Sequence, residues 1–243
     1  MPSVLIAATL LFNAPPAGVS GAGTSALPPI VALVVSPDGQ HVLAGSQVGI
    51  QILSLPSLRP AEGVAKIDTG LAQVHDLAFS PGGKLLAMAG GAPAEEGSVE
   101  LWDWPAVDKR TTIAAGGDVA YAVAWSPDGS RLAIAGGDHQ LRIQPVDGSP
   151  AKSYAIHSAP ILATGWLAGD DDLVLSAGVD QAIRVLDPAG GQVRRSLDNH
   201  TAAVRGLAVR PGKHDGPPMV ASAGADRTVR FWQPAIGRLV RFA

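Results

Sequence analysis

Apolar positions along the chain fall into short runs separated by polar turns, without the three-to-four-residue stripe of amphipathic helices. Ile30 to Val35 is followed by Ser36-Pro37-Asp38-Gly39, a second run from His41 to Ser46 and a third from Ile50 to Leu53. The same order returns from Val74 to Asp103, from Ala120 to Ile143 and from Ile161 to Asp187, and most fully in the stretch from Leu197 to Gln233. The residue after the first run of each copy is Ser36, Ser80, Ser126, Leu167 and Arg210, spaced 44, 46, 41 and 43 apart. A period this regular marks a repeat array whose units stack to bury a shared core.

Each copy carries three strand signals, and a fourth fits before the next copy, as at Val64 to Ile67 or Gln192 to Leu197. Ser-Pro-Asp-Gly between two apolar runs predicts a tight turn: Pro presets φ, Asp bonds nearby backbone and Gly takes positive φ. Runs such as Leu85-Leu86-Ala87-Met88-Ala89 are continuous rather than alternating, which predicts strands covered on both faces.

These residues resemble the WD-repeat β-propellers. The fifth copy matches their pattern best, with Asn199-His200 where Gly-His is usual, then Ser222, Asp226 and Trp232-Gln233 where Trp-Asp is usual. The resemblance implies that His200, Ser222, Asp226 and Trp232 form a buried hydrogen-bonded network tying the loop before the blade to its inner hairpin. The fourth copy keeps His157, Ser176 and Asp180 with Leu186 in place of Trp, while the second keeps Trp102-Asp103 with Gly70 at the His position. The third keeps Asp138 alone. The fold implied is all-β: a WD-repeat propeller of about five four-stranded blades across residues 30–243, with repeats starting near 30, 74, 120, 161 and 204.

Residues 1–29 differ in kind. The apolar run Val4 to Phe12 and the uncharged Pro, Gly, Ser and Ala tract after it read as a secretory signal and linker, or alternatively as a strand that pairs with the far end of the array. The first reading places the chain in the periplasm or outside the cell, the second in the cytoplasm. The run is too short to span a bilayer. With the longer turn Gly90 to Gly97 and the Ser-Pro-Asp-Gly blades, the chain also resembles propeller segments of large extracytoplasmic bacterial proteins, including those joined to haem-binding cytochrome domains. No Cys-x-x-Cys-His motif is present, so it attaches no such haem itself.

Composition sharpens this picture by exclusion. Net charge is -3, which gives no global pull toward nucleic acid, and there is no cysteine for disulfides, thiolate metal sites or thiol nucleophiles. Ten of the eighteen basic residues lie from Arg184 onward against Asp187, Asp198, Asp215 and Asp226, so the last quarter is locally basic. The histidines His41, His75, His139, His157, His200 and His214 show no metal-ligand spacing, and Asp170-Asp171-Asp172 sits where other copies place a hairpin turn. There is no P-loop, no Gly-x-Ser-x-Gly elbow and no recurring acid pair. No cofactor is expected.

What remains is surface. In a propeller the loops entering the first strands and the turns between second and third strands converge on one face. That places His75, Tyr121 and Arg205 beside His139, Gln181 and Arg227, the residue types that make interface hot spots. The reading is a noncatalytic scaffold presenting these loops to protein partners. The alternative is a ligand-binding or enzymatic propeller using the channel mouth, with His75, Tyr121 and His139 as its polar cluster. Five copies leave three modes of closure: a five-bladed ring with Val4 to Phe12 as an added strand, a fragment of a larger ring, or two chains that complete each other. An open, incomplete ring, associating through its terminal blades, is the expectation.

Overall fold

The computed structural model describes residues 28–167, 172–210 and 218–242. The apolar run Val4 to Phe12, the turn 168–171 and His214 lie outside them. The described residues form strands and no helix, in five antiparallel sheets that follow chain order. Blade 1 comprises β1 (Ala32–Val35), β2 (His41–Ser46) and β3 (Gly49–Ser54), with an outer edge in two pieces, β4 (Arg59–Pro60) and β5 (Lys66–Ile67), both paired to β3. Blade 2 is β6 (Val74–Phe79), β7 (Leu85–Gly90), β8 (Gly97–Asp103) and β9 (Asp108–Gly116). Blade 3 is β10 (Ala120–Trp125), β11 (Arg131–Gly136), β12 (Leu141–Pro145) and β13 (Lys152–Tyr154). Blade 4 is β14 (Ile161–Trp166), β15 (Val174–Gly178), β16 (Ile183–Asp187) and β17 (Gln192–Leu197). Blade 5 is β18 (Val204–Val209), β19 (Val220–Gly224), β20 (Val229–Gln233) and β21 (Arg238–Phe242).

The Ser-Pro-Asp-Gly turns form by the expected chemistry. In blade 3 the Ser126 hydroxyl donates to Asp128, the Ser130 N–H donates to the same carboxylate at 3.0 Å, and Gly129 takes φ 72°. The Arg131 N–H closes the turn on Ser126 Oγ at 2.9 Å. The donors on Asp128, the Ser126 hydroxyl first and then the Ser130 N–H and hydroxyl, hold its carboxyl down at about 2.

A single sheet of this kind has two apolar faces and covers neither by itself. The blades therefore stack in order, each laying its leading face on the trailing face of the next. Blade 2 presents Ala87, Ala89, Val99 and Leu101 to Val123, Trp125, Leu132 and Ile134 of blade 3. Blade 4 presents Leu175, Ala177, Ile183 and Val185 to Val204, Val220 and Trp232 of blade 5. The continuous runs end up covered on both sides, with Leu86, Ala87, Met88 and Ala89 all at 0% exposure. Among the described residues blades 1 and 5 share neither a ladder nor a core cluster, so the propeller is open.

Three kinds of polar contact fasten these interfaces. The last residue of the first strand is Trp in blades 3 and 4, and each indole N–H donates to a carbonyl of the preceding blade's first strand: Trp125 to Ala78 at 2.9 Å, Trp166 to Ala124 at 3.1 Å. Arg131 of blade 3 stacks over the Trp166 ring at 4.9 Å and pairs with Asp172 at 2.7 Å, so the last of the three consecutive aspartates is an ion-pair partner rather than a purely solvated turn residue. Asp76 of β6 accepts the Val123 N–H of β10 at 3.0 Å. Burial raises its carboxyl to about 6, against the pull of the Val123 and Leu77 N–H donors.

Trp166→Phe keeps the ring and loses its donor, so a cost of about 1 kcal/mol is expected, against about 3–5 kcal/mol for Trp166→Ala. Equilibrium urea unfolding measures both. Asp76 has a distinct pH signature. Folded, it holds its proton to about pH 6; unfolded, it does so only to about pH 4. The folded state thus binds the extra proton in that window, and the stability it lends is lost as pH rises through it. Asp76→Asn should remove this decline from the urea midpoint; a wild-type-minus-variant difference that stays flat from acid to neutral pH contradicts the assignment.

Candidate functional site

Blade 5 assembles the polar cluster that its sequence suggests. The Trp232 indole N–H donates to Ser222 Oγ at 2.8 Å, Ser222 Oγ lies 2.7 Å from His200 Nε2, and His200 Nδ1 lies 2.8 Å from Asp226. One proton arrangement satisfies all four groups: Nδ1–H donates to the carboxylate, Nε2 accepts the serine proton, and the serine oxygen accepts the indole. Asp226 also accepts the N–H groups of Thr201 and Thr228, which locks the loop before the blade onto the turn between β19 and β20. Burial pushes the Asp226 carboxyl up; the hydrogen bonds from His200, Thr201 and Thr228 outweigh it and hold it well below the usual carboxylate range.

The Ser-His-Asp order is that of a hydrolytic triad, and exposure decides against the chemistry. Ser222 is 1% exposed, His200 3%, and the serine oxygen is already engaged by Trp232. A nucleophile sealed in this way meets no substrate. Blade 4 repeats the relay without its aromatic member: Ser176 Oγ to His157 Nε2 at 2.8 Å and His157 Nδ1 to Asp180 at 2.9 Å, with Leu186 buried at the Trp position. Burial holds the His157 ring below the ordinary imidazole range, against the opposing pull of Asp180.

Blades 2 and 3 solve the same problem differently, with residues that sequence reasoning missed. Both have glycine at the His position, and both fill the space from the third-strand residue that matches, by register, Arg184 of blade 4 and Arg230 of blade 5. In blade 3, Arg142 makes a two-nitrogen pair with Asp138, and any side chain at Gly116 would collide with it. In blade 2 the residue is Glu100, 1% exposed, which accepts the Trp102 indole at 3.0 Å, the Gly70 N–H at 3.0 Å and the Lys109 ammonium. Trp102 thus keeps a network role through Glu100. Asp103 does not join it: it sits one residue past Trp102 on β8, so its side chain points to the opposite face and pairs with Arg110 at 2.8 Å. A signal was present in the sequence, because blades 3, 4 and 5 carry Arg142, Arg184 and Arg230 where blade 2 carries the carboxylate.

The six candidate contact residues occupy two kinds of unusual backbone. His75, Tyr121 and Arg205 are the residues skipped by a β-bulge at the start of β6, β10 and β18, and Leu162 takes that place in β14. His139, Gln181 and Arg227 follow the turn aspartates of blades 3, 4 and 5 in left-handed conformation, with φ 66°, 67° and 64°. Since His200 and His157 join the loops before the blades to those turns, both sets lie at one end of the propeller. His75 and Tyr121 meet edge to face at 5.2 Å, and no ring contact or hydrogen bond among the described residues joins His139 to them. Burial lowers the His75 pKa against the Gly91 backbone and leaves Nε2 without a partner; burial, then Asp118, raises that of Tyr121. Gln181, Arg205 and Arg227 are exposed, with no side-chain partner among the described residues. The lengthened turn of blade 2 is pinned to the same end by the Ala94 N–H, which donates to Asp118 at 3.1 Å. Among the described residues no three His, Asp or Glu side chains gather as a metal site.

Glu100→Gln should cost about 2 kcal/mol, because a buried amide cannot serve three donors, whereas Asp103→Asn should change stability by no more than about 0.5 kcal/mol. Thermal or urea unfolding separates the two. Equal effects would mean that Asp103, not Glu100, fastens this blade.

Comparison with known proteins agrees with this geometry. The model of the WD domain, G-beta repeat, matches residues 67–103, 109–143 and 191–233. Each matched stretch begins at or close to an outer strand and ends in the third strand of the following blade. An uncharacterized WD repeat-containing protein of Synechocystis sp. is 31% identical over 121 residues, 49% of this chain and 33% of that protein. The intraflagellar transport protein 80 homolog of Mus musculus is 34% identical over 97 residues, covering 40% and 12%. Protein HIR1 of Yarrowia lipolytica is 25% identical over 224 residues, covering 84% and 18%. The chain thus spans a third or less of the length of these relatives. Sheet topology and repeat matches together make this chain a carrier of WD40 repeats, folded as an open β-propeller of five blades.

Proposed function

We propose that the chain is a noncatalytic scaffold that binds partner proteins through the propeller end carrying His75, Tyr121, His139, Gln181, Arg205 and Arg227. The observation that carries this reading is their backbone. Bulges re-aim side chains out of the ladder, and a side-chain-bearing residue in left-handed conformation is held there at a cost of about 1 kcal/mol relative to glycine. The same chain uses Gly39, Gly83 and Gly129 for left-handed positions in its first hairpins. Three blades nonetheless keep His, Gln and Arg at the second turn, where Gln181 and Arg227 are exposed and His139 is half-buried.

Charge gives the face a direction. Glu95 and Glu96 are exposed on the blade 2 turn, while Arg205 and Arg227 stand uncompensated on blade 5. A partner with an acidic patch toward blade 5 and a basic one toward blade 2 fits this polarity. The burial of both Ser-His pairs supports a noncatalytic role. The relatives' names come from unrelated assemblies and single out no partner. We further place the chain outside the cytoplasm, as one module of a larger bacterial assembly; the support is the signal-like run Val4 to Phe12 and the resemblance of its early blades to extracytoplasmic propeller segments.

His139→Gly, Gln181→Gly and Arg227→Gly should each raise stability by up to about 1 kcal/mol, by relieving the left-handed backbone. The triple variant should capture fewer partners in a pull-down from the native host and show no change in small-molecule thermal shifts. Stabilisation with undiminished capture would remove these turns from the interface, and loss of a small-molecule response would favour the ligand-binding alternative.

A further inference from the structure

The leading face of blade 5 has the make of the faces buried inside the stack, and among the described residues nothing lies on it. By register, Leu175, Ala177, Ile183 and Val185 of blade 4 correspond to Ala221, Ala223, Val229 and Phe231 of blade 5. The blade 4 set is 0% exposed; in blade 5 Val229 is 39% exposed, Ala223 is exposed, and Ala221 and Phe231 are half-buried.

The four interfaces within the chain show what such a face receives. At the junction of blades 4 and 5 it takes Val209, Val220 and Trp232, one from each of the first three strands, and the Val209 methyl seats so closely on Gly165 that a Cβ there would come within 2.9 Å. The counterpart of Gly165 in blade 5 is Ala208, which is exposed. The counterparts of Val209, Val220 and Trp232 in blade 1 are Val35, Val42 and Leu53, all apolar and only half-buried on the trailing face. Pro28 and Ile30 cover one corner of that face, around Ala44, Ser46 and Gln51. Both halves of a fifth blade interface are therefore present on one chain, at opposite ends of an open stack.

We propose that the leading face of blade 5 docks onto the trailing face of blade 1 of a second copy of this chain, head to tail. Val35 of the second copy seats on Ala208, and Val42 and Leu53 cover Ala221 and Phe231. Charge selects this pairing over blade 5 against blade 5. Arg241 and Arg238 share the leading face, opposite Phe231 and Gln233, so a face-to-face pair would set four arginines against one another. In the head-to-tail pair they meet the turn Leu55 to Leu58 of blade 1, as Arg195 of blade 4 already lies on Gly237 in the matching turn of blade 5. Leu58 is 58% exposed and awaits such a cover.

Sedimentation equilibrium of the 243-residue chain tests this. The wild type should self-associate at micromolar concentration, and Val229→Glu or Val42→Glu should weaken association by at least about 100-fold, since each buries a charge without a partner. Val229 is exposed in the single chain, so its variant folds. Mixing the two variants should restore a one-to-one pair, because each keeps the face the other has lost. As the chain has no cysteine, mixing Ala208→Cys with Val35→Cys should give one mixed disulfide dimer under mild oxidation. A monomeric wild type, a Val42→Glu chain that associates like wild type, or a mixture that stays monomeric would each overturn the proposal. None of these readouts involves the six face residues, so failure here leaves the scaffold reading untouched.

Discussion

A four-stranded sheet with apolar residues on both faces has no way to bury them alone, and this constraint shapes the molecule. Stacking satisfies it four times over. The leading sides of blades 2 and 3 are built small at the first strand and larger outward, as in Ala78, Ala87 and Leu101 or Ala124, Ala133 and Ile143, so the next blade can approach closely at its first strand. The trailing side carries the knobs that fill this space, including Trp125, Trp166 and Val209. A donor on the indole then converts a packing contact into a directed one, because the carbonyl it reaches belongs to the neighbouring blade.

Within a blade the other task is to tie the incoming loop to the inner hairpin. The His-Ser-Asp relay does so in blades 4 and 5, and its position under the turn, away from solvent, makes it a fastener. Blades 2 and 3 reach the same end by placing a charged side chain of the third strand into the pocket left by a missing histidine. Glu100 and Arg142 have opposite charge and equal logic: each supplies what its own blade lacks, a carboxylate where the turn aspartate is gone, a cation where it remains.

The repeat period, the turns and the relay of blade 5 were legible in the sequence because each depends on residues close in register. Glu100 was not, since its meaning appears only when the blades are compared position by position and the loss of the turn aspartate is seen beside the loss of the third-strand arginine. The indole donors of Trp125 and Trp166 were hidden for another reason. Their acceptors are backbone carbonyls 47 and 42 residues away, which no local pattern marks. The pairing of Trp102 with Asp103 as one motif also misled, because neighbours along a strand face opposite sides. For the proposed contact face, sequence position named His75, Tyr121 and Arg205, while the bulges that single them out are visible only in the ladders.

In the proposed reading, function is separated from stability by geometry: the fasteners are buried, whereas Gln181, Arg205 and Arg227 are exposed. The open stack adds an unequal distribution of order, since only blades 2 to 4 are covered on both sides by described neighbours. Native-state hydrogen exchange of the single chain tests this dependence most directly. If stacking is what holds each blade, β7, β11 and β15 should exchange only through global unfolding, and β19 and β20 through a smaller opening of lower free energy. Equal protection of β19 and β15 in the monomer would contradict it.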